Sequence, residues 1–482
     1  MNKFCFKPIY CFYLISLLFF SLVGQIMNHC HPYYDLGIYG EALRLIQWNN
    51  LNPFIPGRFI HIFNDHFDPI LIPFSFFERF LPGPLLGTTV EWLSIALCWF
   101  PIRHLYQKQK INFNTAVFSY AFIVLNHAMV DALFRPFHPT TWACLPLLCS
   151  LSFYYLKNYR AMLISIILLF SCREEFPLVG IMLGLVLLFT KEKKWGLITL
   201  ISSLIWALFA FKIRPLIFAG DFSNYGGTLI QSFINNPLAQ IKSLFEIGTI
   251  RMFLARTIPL LLIINFSAVK KHFPHLILAF IITSPIFGIR FASNSWGFHY
   301  GTAPVIALWF ILLPALNESL TMTSPPMNQW RIRISWSFLI ITFLTPVTKN
   351  NWDNWFAWGG FEFGHKQCLN QTTRLKEIKD AQKWITNSPH NKILLGGNLI
   401  STQLISSQDH PEKEFYFLGG PSSGHQLNYN VVMVEKPPSG DAWPIGQDRI
   451  KSLIENWRKS GLKIIIDNDS IFLAEGVIKI DQ

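Results

Sequence analysis

Apolar runs of helix-spanning length recur from residue 9 to about residue 348, and then they stop. A hydrocarbon core about 30 Å thick is crossed by about 20 helical residues. The runs predict spans at about 9–28, 84–103, 113–130, 140–156, 161–172, 175–190, 195–213, 256–269, 273–290, 300–316 and 332–348. The expected fold is therefore an α-helical polytopic membrane protein with about 11 transmembrane helices, residues 1–349, followed by a soluble domain, residues 350–482. Two of these runs flank Ser171 to Glu175 (SCREE) and are barely long enough to cross, so a re-entrant pair of the same parity is the alternative. Residues 69–81 (PILIPFSFFERFL) are too short and too rich in proline to span, and they are predicted to lie along the interface.

The segments between the runs alternate in character. One set is short and basic: Arg103 to Lys110, Lys157 to Arg160, Lys191 to Lys194, Lys270 with Lys271, and Arg331 with Arg333. The other set, 29–83, 131–139, 214–255 and 291–299, is longer, aromatic and mixed in charge. Cytoplasmic loops carry the excess of Lys and Arg. Placing the basic set inside puts the N-terminus, with Lys3 and Lys7, in the cytoplasm and residues 350–482 outside. The first apolar run lacks a small-residue cleavage site, so a retained anchor is expected rather than a signal peptide.

Beyond residue 350 the period changes. Residues 370–388 read as an amphipathic helix, and Lys392 to Leu395, Glu414 to Leu418 and Tyr429 to Val434 as strands. A helix near 447–460 and a final pair of strands complete a small α/β or α+β domain. Gly396 and Gly397 after a strand are too little to make a phosphate loop, which favours a lid or packing role over a second active site.

Composition agrees with the pattern. Hydrophobic residues make up 51% and charged residues only 14%, where soluble domains run near a quarter charged. The net charge of +12 sits in clusters between apolar runs, which fits lipid headgroups as the partner and not nucleic acid. Most of the eight cysteines lie inside apolar runs with no CxxC pair, which argues against both a disulfide framework and a zinc site.

Ionisable groups at a membrane boundary are costly and mark function. The outer set concentrates them: Asp35, Glu41 and Arg44; Arg58, His61, Asp65, His66 and Asp68; Asp131, Arg135 and His138; Arg173, Glu174 and Glu175; Arg290, His299 and Tyr300. Asp35 opens a stretch with Leu36, Tyr39, Leu43 and Ile46 at helical spacing, so it is either a helix cap or a catalytic carboxylate. Asp65, His66 and Asp68 are an ordinary polar loop or a site for a divalent cation, although the spacing matches no metal motif. Arg135 with His138 is an interfacial anchor or a phosphate contact. Glu174 and Glu175 need partners, and Arg173 beside them is the local one.

The stretches YDLGIYGEALRL (34–45), NDHFDPIL (64–71), FRPFHPTTWACLPLL (134–148) and CREEFPLVGIMLGL (172–185) resemble a bacterial and archaeal membrane family known as domain of unknown function 2079. That family is similar to the GT-C superfamily of glycosyltransferases. The resemblance implies a multi-pass protein of the bacterial inner membrane that takes a sugar from a polyprenyl-phosphate donor and inverts its anomeric centre. It implies a catalytic role for Asp35, although Tyr34 stands where many of those enzymes have a second acidic residue. His66, Arg135, His138, Arg173, Glu174, Arg290 and His299 are then expected to bind substrate, with no metal required. The rival reading is a lipid or polysaccharide transporter or flippase, and the third is a non-catalytic scaffold for envelope assembly. Neither an internal repeat nor mid-membrane polar clusters favour the transporter.

Overall fold

Among the described residues helices predominate as far as Leu344, and a five-stranded sheet follows. The computed structural model describes residues 34–47, 49–56, 60–81, 83–133, 138–218, 235, 247–293, 298–321, 326–344, 372–396, 413–418, 428–436 and 446–478. The expected first span and the expected boundary near residue 350 lie outside the described residues.

Among the described residues four helices are long and apolar enough to cross a membrane: Gly83–Gln107, Lys193–Ile217, Phe266–Ile289 and Thr302–Thr321. Phe113–Leu125, Tyr159–Phe170 and Pro177–Leu188 are apolar but shorter. The last two have 12 residues each, which rise only about 18 Å. Eleven uninterrupted spans are therefore more than the described helices supply. The reason is local: Asn126 takes an extended conformation and ends Phe113–Leu125, and Arg331 with Arg333 lowers the apolarity of Pro326–Leu344.

One expected break moves. Lys270 and Lys271 do not end a helix but lie in the first turns of the helix Phe266–Ser293. The turn comes earlier, at Ile264 and Asn265, where two neighbouring helices hold it. Asn265 N donates to Ser319 Oγ at 2.9 Å, and Arg331 Nη1 donates to Asn265 Oδ1 at 2.8 Å. Lys271 and His272 then meet Glu318 at 3.0 and 2.6 Å, and Asn112 N donates to Asn317 Oδ1 at 2.8 Å. Two members of the basic set, Lys270–Lys271 and Arg331, thus meet the start of the helix Phe113–Leu125 and the end of Thr302–Thr321 at one end of the bundle.

Close helix approach depends on glycine, as it does where lipid replaces water and packing drives association. A Cβ on Gly184 would lie 2.7 Å from Leu200 N, and one on Gly196 would lie 2.7 Å from Leu188 N. Those contacts seat Pro177–Leu188 against Lys193–Leu208. At the other end of the bundle, the helix Tyr34–Leu45 lies on the helix Gly83–Ala96, with a Cβ on Gly83 only 2.3 Å from Gly40 O.

A two-stranded hairpin, β1 (Phe54–Ile55) and β2 (Ile60–His61), lies within residues 29–83, and the C-terminal strands are β3 (Lys392–Gly396), β4 (Glu414–Phe417), β5 (Tyr429–Glu435), β6 (Lys463–Asp467) and β7 (Ile471–Ile478), in the spatial order β4-β3-β5-β7-β6. β4, β3 and β5 run parallel, β7 pairs antiparallel with β5, and β6 pairs antiparallel with β7. Alternate residues face opposite sides. Leu394, Tyr416, Val432, Val434 and Phe472 pack with Ile450, Ile454 and Trp457 of the helix Gln447–Lys459. Ile393, Phe415, Val431 and Leu473 face the other way, with Ile378, Ala381 and Ile385 of the helix Thr372–Asn387, and that layer is continuous with the apolar core of the bundle. The sheet with a helix on each face is α/β in its layering, one of the two arrangements, α/β or α+β, that the order of elements allows. It also reaches the first described helix: burial pushes Glu41 up to about 8, with Arg44 opposing and the charge of Glu414 on β4 adding to the rise.

Gly83→Ala is expected to destabilise the protein by about 1–3 kcal/mol through overpacking. Thermal unfolding in detergent checks this, and an unchanged midpoint would show that the two helices have room to part.

Candidate functional site

Prolines set where the outer loops end. Pro139 and Pro177 each begin a helix, where the missing N–H and the fixed φ are tolerated. His138 and the Arg173–Glu175 turn therefore lie just ahead of those helices. Pro69 follows Asp68, and Ile70 N donates to Ser171 O at 2.9 Å, which joins the 64–71 stretch to the 171–175 turn by backbone.

The side chains complete the junction. Glu174 accepts at Oε1 from His66 Nδ1 (2.9 Å) and at Oε2 from Phe67 N (2.9 Å). Arg173 Nη2 lies 2.9 Å from His66 Nε2 and Nη1 donates to Thr140 Oγ1 at 2.6 Å. Its Nε lies 3.8 Å from Glu175, and its guanidinium sits 5.6 Å from the Tyr300 ring centre. Tyr39 donates to Asp68 Oδ2 at 3.3 Å, and its ring meets His138 edge-on at 5.9 Å.

A guanidinium has no acceptor. Arg173 must therefore donate to Nε2 of His66, which leaves the proton on Nδ1 facing Glu174. Burial and the Arg173 charge oppose the imidazolium, but the charge and hydrogen bond of Glu174, with Asp65, outweigh them and raise the pKa of His66. Protonation would turn Nε2 into a donor against Arg173, so the contact is stable only with a neutral ring. Burial works against the Glu174 anion as well, yet His66, Arg173 and the Phe67 N–H hold its pKa below the ordinary carboxylate range. Asp68 goes the other way: burial pushes it up to about 7, against the pull of His66 and Arg173.

The structure places the expected residues unevenly. His66, His138, Arg173 and Glu174 come together, with Asp65 and Asp68 beside them. Asp35 lies within the helix Tyr34–Leu45, Arg290 within Phe266–Ser293 and His299 within the 3-10 turn Phe298–Gly301, but their side chains are outside the described residues. Arg135 is outside them altogether. Both ring nitrogens of His66 face protein groups, and among the described residues no group of three or more His, Cys, Asp or Glu side chains is arranged to hold a metal ion.

Four participants were not singled out by sequence. Arg214, 5% exposed, lies over the Phe67 ring at 5.7 Å directly after a π-helical turn, Phe209–Ile213. Such turns recur at functional sites. Arg256, 1% exposed, occupies the space above Gly301, where a Cβ would lie 2.6 Å from Nη2. Glu91 is fully buried within the helix Gly83–Gln107 and faces Thr141 and the His138 backbone, though neither of its oxygens has a well-formed hydrogen bond among the described residues. Tyr39 is the fourth. A carboxylate inside an apolar run was a signal for Glu91, and a cation at a span end was one for Arg214 and Arg256; nothing marked Tyr39.

A family profile with the description "Predicted membrane protein (DUF2079)" matches residues 32–358. No curated protein matches the chain. Two similar solved structures are both of ArnT from Cupriavidus metallidurans. The apo structure has 12% identity and a TM-score of 0.42, covering 97% of this chain and 98% of that one. The structure bound to undecaprenyl phosphate has 12% identity and a TM-score of 0.46, with the same coverage. At that identity and those TM-scores the likeness assigns no activity or residue role to this chain.

Replacing Glu174 by Gln removes the buried anion that answers His66 and the Phe67 N–H and lies beside Arg173, and breaking such a buried pair costs about 3–5 kcal/mol. A carboxylate whose pKa is depressed on folding contributes stability above its unfolded value, about 4.3, and loses it as pH falls through the depressed value. The melting midpoint of Glu174→Gln should therefore lie below wild type, by a gap that does not narrow between about pH 7 and 5. Equal midpoints at neutrality would rule out a stabilising Glu174.

Proposed function

The chain belongs to the family of predicted membrane proteins described as DUF2079, and we propose that it is a membrane glycosyltransferase that moves a sugar from a polyprenyl-phosphate donor to an extracytoplasmic acceptor with inversion. The observation that carries the reading is convergence. The four stretches that bear the sequence resemblance, 34–45, 64–71, 134–148 and 172–185, meet in one cluster through Tyr39, Asp68, His66, His138, Thr140, Arg173 and Glu174.

The cluster has the chemistry that transfer from a lipid phosphate needs. Arg173 and Arg214 are buried cations that neutralise the phosphate as negative charge builds on it, and no metal is needed for that task. The donor's isoprenoid tail lies among the apolar helices and its phosphate at the boundary. A carboxylate takes the acceptor's proton, Asp35 by the sequence and Asp68 by the contacts around it. In this reading the protein resides in the bacterial inner membrane, with the N-terminus cytoplasmic and the C-terminal domain outside. A transporter would instead make use of Glu91, buried inside the Gly83–Gln107 helix. The gathering of arginines, histidines and carboxylates at one end favours the transferase.

The full chain in proteoliposomes, given polyprenyl-phosphate hexoses with a radiolabelled sugar and an envelope extract as acceptor, is expected to release polyprenyl phosphate and move label to the acceptor. A chelator should leave that rate unchanged. Label that crosses the bilayer still joined to its lipid, with no cleavage, would establish the transporter instead.

A further inference from the structure

Asp68 differs from its neighbours in what its two oxygens do. Oδ2 accepts from the Tyr39 hydroxyl at 3.3 Å. Oδ1 is buried and has no hydrogen-bond partner among the described residues. The whole residue is 1% exposed, so that oxygen has given up water and received nothing in return. Glu174 is different, with both oxygens engaged by His66 and Phe67 N.

The carboxylate is also firmly placed. Leu71 N donates to Asp68 O at 3.0 Å across Pro69, and Ile70 N reaches Ser171 O at 2.9 Å. These bonds fix the backbone on the side of Asp68 that Tyr39 does not hold. A lone acceptor oxygen on a rigid backbone, beside a buried guanidinium, is an arrangement for a ligand that brings its own donor. A hydroxyl group is such a ligand.

We infer that Asp68 is the base of the transfer step, its Oδ1 receiving the proton of the acceptor hydroxyl. As that proton moves, the acceptor oxygen bonds to the anomeric carbon. The bond from that carbon to the phosphate oxygen breaks, and its electron pair leaves on polyprenyl phosphate. Asp68 ends the step protonated and returns the proton to solvent. Tyr39 is a positioning residue that holds Oδ2, so that Oδ1 points at the acceptor. The inference rests on the transferase reading above. Burial, which pushes Asp68 up to about 7 against His66 and Arg173, suits a base that works near neutrality. Asp35 stands four residues before Tyr39 on the helix Tyr34–Leu45, so the two positions share a helix face. That makes Asp35 the comparator.

The test uses the full chain in proteoliposomes with the same labelled polyprenyl-phosphate hexoses. Asp68→Asn is expected to lower kcat by about 100-fold or more while the donor KM changes little. Wild type should gain rate as pH rises to about 7, and Asp68→Asn should lose that rise. Tyr39→Phe should lose less rate and keep the rise at a shifted pH. Folding is checked separately. A carboxylate whose pKa is raised on folding lowers stability as pH climbs from its unfolded value, about 3.9, through the raised one. Asp68→Asn should therefore melt no lower than wild type at pH 8. A wild-type rate in Asp68→Asn overturns the inference. So does loss of the pH rise in Asp35→Asn with the rise kept in Asp68→Asn, which would return the role to Asp35. Failure of wild type to cleave any donor overturns the transferase reading itself, and the inference with it.

Discussion

A guanidinium cannot be buried at the end of an apolar bundle without partners, and the way Arg173 finds them organises that end of the molecule. Its neighbours come from separate stretches of chain: His66 from one loop, Thr140 from the start of a helix, Glu175 from its own turn and Tyr300 from a fourth segment. Arginine's forked, permanently charged donors suit it to such a junction better than lysine's single point of charge. Because the partners are far apart in sequence, the interactions can be made only when the helices between them are in place. The junction and the bundle therefore depend on each other.

The two ends of the bundle use polar groups differently. Where the basic loops meet, Asn112, Asn265, Asn317 and Ser319 trade hydrogen bonds with backbone, and Glu318 answers Lys271 and His272. The polar groups named there have structural tasks. At the other end the cations and carboxylates are more deeply buried, and carboxylate oxygens of Glu41, Asp68 and Glu91 stay without a hydrogen-bond partner among the described residues. Satisfied networks rigidify a structure, whereas a polar atom kept unsatisfied in a buried place calls for a separate account. That difference, more than the number of charges, sets the second end apart as the place for chemistry.

The C-terminal sheet is tied to the same region. Its inward layer continues the apolar core of the bundle, and Glu414 on β4 brings its charge to bear on Glu41 of the first described helix. Tyr416 donates to Glu414 at 2.7 Å and so stands over the same spot. The sheet thus shares core with the bundle and approaches the helix that carries Asp35 and Tyr39.

Much of this architecture was legible from short-range pattern alone. The short apolar runs at Lys392 to Leu395 and Tyr429 to Val434, and the amphipathic period of 370–388 and 447–460, gave the C-terminal elements to within a residue or two, because the strands are buried on both faces and the helices bury one stripe. Apolar run length placed the helices of the bundle, and clustered charge found His66, Arg173, Glu174 and His138. Run length did not decide how many helices are long enough to cross, since Asn126 ends one helix and the turn at Asn265 is fixed by Ser319 and Arg331 from other helices. Nor did it distinguish Asp68 from Asp65, or mark Tyr39, which on the sequence is one more apolar-face position of its helix. Hydrophobic periodicity is a property of neighbours along the chain, so the sequence determines it. Which oxygen is satisfied, and by what, depends on groups brought together across 29 or 108 residues, and only the tertiary structure decides that.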